Sequence, residues 1–442
     1  MKKVVIWTVL LLLLGGLGAY YYFPQYFVDV PLESTTSPLQ TTTLPNGLTV
    51  TVKETHALPL VTIQFWVHVG SKDEPDQYRG ISHIFEHIWF KGTPTQPVGS
   101  FHKRVESLGG ELNAMTSLDW TMYYVTLPSD KFDDIFPNMV DLLRNPLFDE
   151  EEINKELQVI VEEQRFSYNE PIKYVDDQWA KLLIKEHPYR HPIIGYKDTI
   201  LGTTRDAVMN FYNTWYVPNN MNIVVVGDVE EETILADVKD AFGDPQRKPG
   251  PRKTHPPQKP HTKPQYNSST RHLGYSYIAA GFTAPAGDDS DRYVMDVITT
   301  LLVGGDNSRL QRILKQEKNL AARVVGGYTP LNQMGAVEFI IVTDKATKAK
   351  QELILLLNKL KYEKVSKEEL ERAKALLQAD RVKAQEEIFE VGFAIGKEWI
   401  LGQQDAYSEY ITRIEGVTAD DIQRVANKYF TAYTMYELKP KL

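Results

Sequence analysis

The chain has no cysteine among its 442 residues. That excludes disulfides, thiolate metal sites, thiol nucleophiles and lipid attachment through an N-terminal cysteine, and it leaves either redox compartment open. A basic surplus is missing too: 49 Lys and Arg stand against 58 Asp and Glu, a formal charge of -9 with a pI near 5.7. Nucleic acid, which favours a basic surface, is therefore not an expected partner. What is present, 42% hydrophobic and 24% charged residues, describes a folded globular protein. The length exceeds one ordinary domain and suffices for two, each with its own core.

The first 23 residues stand apart. In "MKKVVIWTVLLLLLGGLGAYYYFP", Lys2 and Lys3 precede an apolar run from Val4 to Phe23. A cleavable signal usually has an apolar run of roughly 7–15 residues, whereas a spanning helix needs about 20. Gly16 and Gly18 are small enough for a cleavage site, but no Ala-x-Ala follows. Tyr20, Tyr21 and Tyr22 suit a membrane interface. A removed export signal and an uncleaved membrane anchor both remain open. Either one exports the body, to the periplasm or the cell exterior.

Residues 24–40 read as a polar spacer. In "TTTLPNGLTVTVKE", Asn46-Gly47 marks a hairpin between alternating segments. A nearly continuous apolar strand covers 60–70, and strands and amphipathic helices alternate up to "MNIVVVGDV" at 221–229. Residues 41–241 are thus expected to form a first domain. The stretch 242–272, rich in proline, lysine and histidine, reads as a linker, and its His255, His261 and His272 as a solvated tract. Residues 273–442 then partly repeat the earlier pattern. Aligning Asp76 with Asp291 sets strand, acidic turn and helix in register, and places Ile298, Leu301 and Leu302 where His83, Glu86 and His87 stand. A duplicated unit is expected, with polar chemistry in one copy only.

That chemistry lies in "RGISHIFEHIWFKGT", residues 79–93. An isolated histidine on an apolar helix is usually a hydrogen-bonded core residue. Two of them four apart share a helix face and can converge on one ion. Glu86 borders that face, within reach of a water there, in the reversed order of the familiar His-Glu-x-x-His zinc helix. A catalytic zinc site needs three protein ligands and an open position. A third ligand must therefore come from elsewhere. In the helix 150–166, Ile153, Leu157 and Ile160 define an apolar face at 100° per residue. Glu156 and Glu163, seven apart, lie on one edge of that face, and Glu162 points away. The angle selects Glu163 as the inward carboxylate, with Glu156 two turns behind it.

Together with "SLGGELNAMTSLDWTMYYVTLP", "NKELQVIVEEQRFSYNEP", "HPYRHPIIGY" and "FYNTWYVPNNMNIVVVGDV", these segments resemble the pitrilysin/insulinase family of zinc metallopeptidases over about residues 41–440. The resemblance implies an α+β fold of two related domains, each a mostly antiparallel sheet packed against helices, forming one half of a clamshell. It implies that His83, His87 and Glu163 bind one zinc ion, that Glu86 is the general base, and that Glu156 is the family's additional helix glutamate. Such an enzyme cleaves short or unfolded peptides, with activity falling in acid because its imidazoles must be neutral. Asn113 and Ala114 match the strand positions that pair with substrate backbone to backbone; an ordinary sheet strand is the plainer reading of that segment.

One departure stands out. Family members of this kind usually carry an arginine and a tyrosine seven apart that grip substrate near the zinc. Here Lys315 and Ala322 hold those positions, with Tyr328, Arg312 and Arg323 out of register. The resemblance then implies a second half-clamp chain that supplies the pair, or a homodimer with an altered grip. A non-catalytic structural or chaperone-like relative is the reading from a different class. Such proteins typically lose the ligands that this chain retains.

Overall fold

Asn46-Gly47 turns the chain between strands β1 (Gln40–Thr43) and β2 (Thr49–Glu54), which pair antiparallel, with Gly47 at φ 89°. The hairpin opens a computed structural model that describes residues 38–243, 255–256 and 258–441. The signal or anchor expected at 1–23, and nearly all of the spacer, lie outside the described residues. No helix among the described residues is long and apolar enough to cross a membrane.

β3 (Leu60–Val67) is buried along almost its whole length because both faces of its sheet are covered. Val61, Ile63, Phe65 and Val67 point into one core, and Trp66 points into another on the opposite face. The chain continues through helix α1 (Ile81–Ile88), strands β4 (Glu111–Thr116) and β5 (Thr121–Pro128), helices α2 (Glu150–Asn169) and α3 (Pro171–Leu183), and strand β6 (Met221–Gly227). The first sheet runs in the order β1-β2-β6-β3-β5-β4, with β2 and β6 parallel and the remaining pairs antiparallel.

The second sheet comprises β7 (Gln265–Arg271), β8 (Ser276–Ala284), β9 (Arg323–Thr329), β10 (Gly335–Thr343) and β11 (Thr434–Pro440), in the order β7-β11-β8-β10-β9. β7 and β11 are parallel, and the other pairs antiparallel. Strand for strand this repeats the first sheet without a counterpart of β1, as expected of a duplicated unit. The linker reading of 242–272 is corrected at both ends: a helix occupies Glu231–Phe242, and 265–271 form edge strand β7. β7 escaped notice because "QYNSSTR" is mostly polar and largely uncovered, so it has no apolar alternation to read.

The two lobes exchange helices. α3, from the N-terminal lobe, lies on the second sheet, and Trp179 joins a core with Ala279, Ile340 and Leu438. α6 (Ile388–Ile400), from the C-terminal lobe, lies on the first sheet, where Val391 and Ile395 meet Trp66, Met122 and Val224. Between them in the chain come helices α4 (Asp291–Val303) and α5 (Lys367–Ala384), which pack beneath the second sheet.

A buried polar cluster joins the lobes at a second place. Lys72 pairs with Asp119 at 2.8 Å and Asp73 at 3.4 Å, all three nearly inaccessible. Asp119 also accepts from the Tyr189 hydroxyl and, across the lobes, from the Asn332 N–H at 2.9 Å. Beside it, His187 is 1% exposed. Its Nδ1 accepts from the Tyr189 N–H at 3.2 Å, so the ring proton sits on Nε2 against Gln333 Oε1. Burial holds its pKa below the ordinary value, with the Gln333 bond only partly opposing. The unfolded chain therefore takes up a proton that the native chain refuses, and stability is lost as pH falls through about 6.5. A series of thermal melts from pH 7.5 to 5 is expected to show a falling Tm. His187→Gln should flatten part of that fall; an unchanged slope in this variant would assign the effect to other groups.

Candidate metal centre

Helix α1 is short, and its apolar residues Ile81, Ile84, Phe85 and Ile88 are buried in the core of the first lobe. That fixes its rotation and turns His83 and His87 toward α2. Gly80 begins the helix at φ 105°, and a Cβ there would lie 2.7 Å from the Ile194 carbonyl oxygen. Only glycine fits such a conformation at such close approach.

On α2, Ile153, Leu157 and Ile160 are buried as the helical angle requires, and Glu162 is exposed. Glu163 lies with Oε1 3.8 Å from His83 Nε2 and Oε2 3.4 Å from His87 Nε2. One ligand atom from each of the three residues falls within 4.8 Å of the other two. A tetrahedral site with bonds near 2.1 Å has edges of about 3.4 Å, so the spacing suits a small divalent ion. The state of His83 points the same way. It is buried, its Nδ1 has no hydrogen-bond partner among the described residues, and its Nε2 is too far from Glu163 to share a hydrogen bond. Burial holds it down to about 4, with Glu163 opposing only in part, so near neutrality the imidazole has a lone pair to offer.

Behind His87 stands Glu156, its Oε2 3.1 Å from Nδ1. With the Nδ1 proton held by Glu156, the neutral ring keeps its Nε2 lone pair for an ion between His83, His87 and Glu163, the usual way a carboxylate orients a histidine toward a metal. Lys91 holds the other oxygen of Glu156 at 2.6 Å. Burial lowers the His87 pKa, but the bonds to Glu163 and Glu156 outweigh it and leave the group above its ordinary value. The bond to His87 keeps the Glu163 carboxyl low and ionised against some burial. Glu86 differs: burial pushes it above the usual carboxylate range, with Thr116 hydrogen bonds pulling back. A carboxylate raised toward neutrality is the better proton acceptor.

β4 lies at the outer edge of the first sheet, with one side unpaired. Asn113 is exposed there and Ala114 buried. Both line a cavity of about 300 Å³ with Glu86, His87, Phe90 and His102. The sequence reading did not single out Lys91, Thr116 or His102. Lys91 follows His87 at four residues, a helical spacing that could have raised it. The other two are brought in by tertiary packing alone. Lys315 is exposed in a π-helical turn at Gln311–Glu317, and Ala322 is exposed just before β9.

Comparison with known proteins places the chain in a family. Residues 49–196 match the model for insulinase (peptidase family M16), and residues 203–377 match that for the peptidase M16 inactive domain. An uncharacterized zinc protease of Rickettsia felis is 30% identical over 88% of this chain and 95% of its own length. The zinc protease PqqE of Helicobacter pylori is 28% identical over 98% and 97%. Among solved structures, a protease from Helicobacter pylori superposes with a TM-score of 0.84 at 28% identity, covering 91% of this chain and all of the other. The periplasmic protease PqqL of Escherichia coli gives 0.75 at 21% identity, over 92% of this chain and 48% of its own. The chain belongs to the insulinase (M16) family of peptidases, with the two-lobed α+β architecture of that family's half-clamps.

Proposed function

We propose that the chain is a zinc-dependent endopeptidase that cleaves peptides or unfolded polypeptides. The convergence of His83, His87 and Glu163 on one point, with Glu86 on the same helix, carries this reading. When bound there, zinc would polarise the scissile carbonyl and acidify a water molecule. Glu86 takes the proton of the attacking water and passes it to the leaving amine. Glu156 keeps the proton of His87 on Nδ1, and Lys91 keeps Glu156 in place. An extended peptide lies along the free edge of β4 at Asn113 and Ala114, its side chain next to the reacting centre entering the 300 Å³ cavity.

The chain would act as one half of a clamp. PqqL, which this chain matches over about half its length, supports that, and the absence of an arginine–tyrosine pair at Lys315 and Ala322 favours a second chain that supplies one. Export, to the periplasm or to its membrane surface, accords with the composition of residues 1–23 and with the location of PqqL.

The test is metal content by mass spectrometry, with hydrolysis of a quenched unstructured peptide. The purified chain is expected to hold one zinc, and Glu163→Ala to lose it together with activity. Full retention of zinc by Glu163→Ala would refute the ligand set.

A further inference from the structure

α1 has eight residues and no side-chain cap at its N-cap residue, Gly80. Two N–H groups at its start are taken up from a distance. Glu74, 3% exposed, accepts from the Gly80 N–H through Oε2 and from the Ser82 N–H through Oε1, both at 2.8 Å. The segment that carries Glu74 is itself pinned. Ser71 and Lys72 donate backbone N–H groups to the Ser117 and Leu118 carbonyls at 3.1 Å, and Arg79 Nη1 donates to the Ser71 carbonyl at 2.9 Å. Ser117 directly follows β4. A continuous set of bonds therefore runs from the end of the edge strand through Glu74 to the residue before His83.

A carboxyl group buried this completely is costly to desolvate, and an ordinary cap needs only one bond from a neighbouring Ser, Thr or Asp. Two bonds from one rigid group to two N–H groups of the same first turn do more than cap. They fix the height of the helix along its axis and hold the rotation that its buried apolar face sets. His83, Glu86 and His87 ride on that helix, and Glu163 is on another. Metal–ligand distances tolerate only about 0.2 Å of error.

We infer that Glu74 is a positioning residue, setting α1 against α2 and β4 so that His83 and His87 meet Glu163; this rests on the zinc reading above. The experiment is zinc affinity by chelator competition on the full chain, with the visible spectrum of the cobalt(II)-substituted protein, for wild type, Glu74→Gln and Glu74→Asp, all well below their melting temperatures. Gln keeps the shape but turns an N–H₂ toward one of the two donors. Asp keeps the carboxyl group and falls short by a methylene. Both are expected to weaken zinc binding by roughly 10–100-fold and to shift the cobalt bands, with Asp decisive should Gln fail to fold. A folded variant with lower Tm, a zinc Kd within twofold of wild type and an unchanged cobalt spectrum would reduce Glu74 to a stabilising cap and overturn the inference. A wild type that takes up no zinc overturns the zinc reading and this inference with it, whereas normal wild-type binding beside unchanged variants overturns only the role of Glu74.

Discussion

Glu86→Gln is expected to lower kcat on a quenched unstructured peptide by about 10²–10⁴-fold while KM and zinc content stay close to wild type. The substitution keeps side-chain shape and an acceptor for Thr116, so the helix, His83 and His87 have no reason to move. What it removes is the ability to take a proton. Burial raises Glu86 above the ordinary carboxylate range, and that basicity is lost with the amide. Glu156→Gln provides the contrast. It leaves the base intact but exchanges a charged acceptor for a neutral one at His87 Nδ1 and frees Lys91. Its main effect should be on metal affinity, with activity recovering as zinc is added. If Glu86→Gln turns over at the wild-type rate, or if zinc restores it, the assigned role fails.

How much of this could be read from residues alone depends on the range of the interaction involved. The helical angle put Glu163 inward and Glu162 outward; Glu163 does face His83 and His87, because the face of a helix is decided by its own buried residues Ile153, Leu157 and Ile160, but its side chain is 45% exposed at the rim of that face. The Asn46-Gly47 hairpin was legible for the same local reason. The duplication showed only over a short stretch, since strand order is a matter of pairing between segments hundreds of residues apart. Glu74 gave no signal. Its partners are backbone N–H groups, which carry no residue identity, and it lies in an irregular loop where no periodicity applies. The exchange of α3 and α6 between lobes was equally hidden. Each helix is amphipathic, and an apolar face does not name the sheet that covers it.

Yet the residues do encode which sheet each helix covers, and this leads to the largest stability effect expected. The register that aligns Asp76 with Asp291 also sets Trp66 of β3 against Gly281 of β8. α3 and α6 each have 13 residues, and the ninth is Trp179 in one and Gly396 in the other. In space the partners are crossed. A Cβ on Gly396 would come within 2.0 Å of the Trp66 indole, and one on Gly281 would come within 1.9 Å of the Val337 carbonyl oxygen and 2.8 Å of the Trp179 ring. One contact has its large residue on the sheet, the other on the helix. Docked on its own lobe's sheet, α3 would drive Trp179 into Trp66, while α6 on the second sheet would leave glycine facing glycine and a void. The sizes thus favour the exchanged arrangement over the unexchanged one. Trp66 cannot simply retreat, because its Nε1 donates to Gln64 Oε1 at 3.0 Å while Gln64 Nε2 donates to the Phe389 carbonyl at 2.9 Å. Gly396→Ala gains up to about 1 kcal/mol of helix propensity, against overpacking of about 1–3 kcal/mol or more. Because the clash here is with a ring held by these bonds, the cost falls at the upper end of that range, and a net loss of about 2 kcal/mol is expected at this interface, read as a lower urea midpoint or as insoluble expression. Trp66→Phe in the same chain should recover part of the loss by clearing the space. Gly274→Ala, where a Cβ would meet nothing within 4 Å, should be nearly silent. A Gly396→Ala chain as stable as wild type would show that α6 does not depend on that close approach, and the crossed pairing would lose its physical basis.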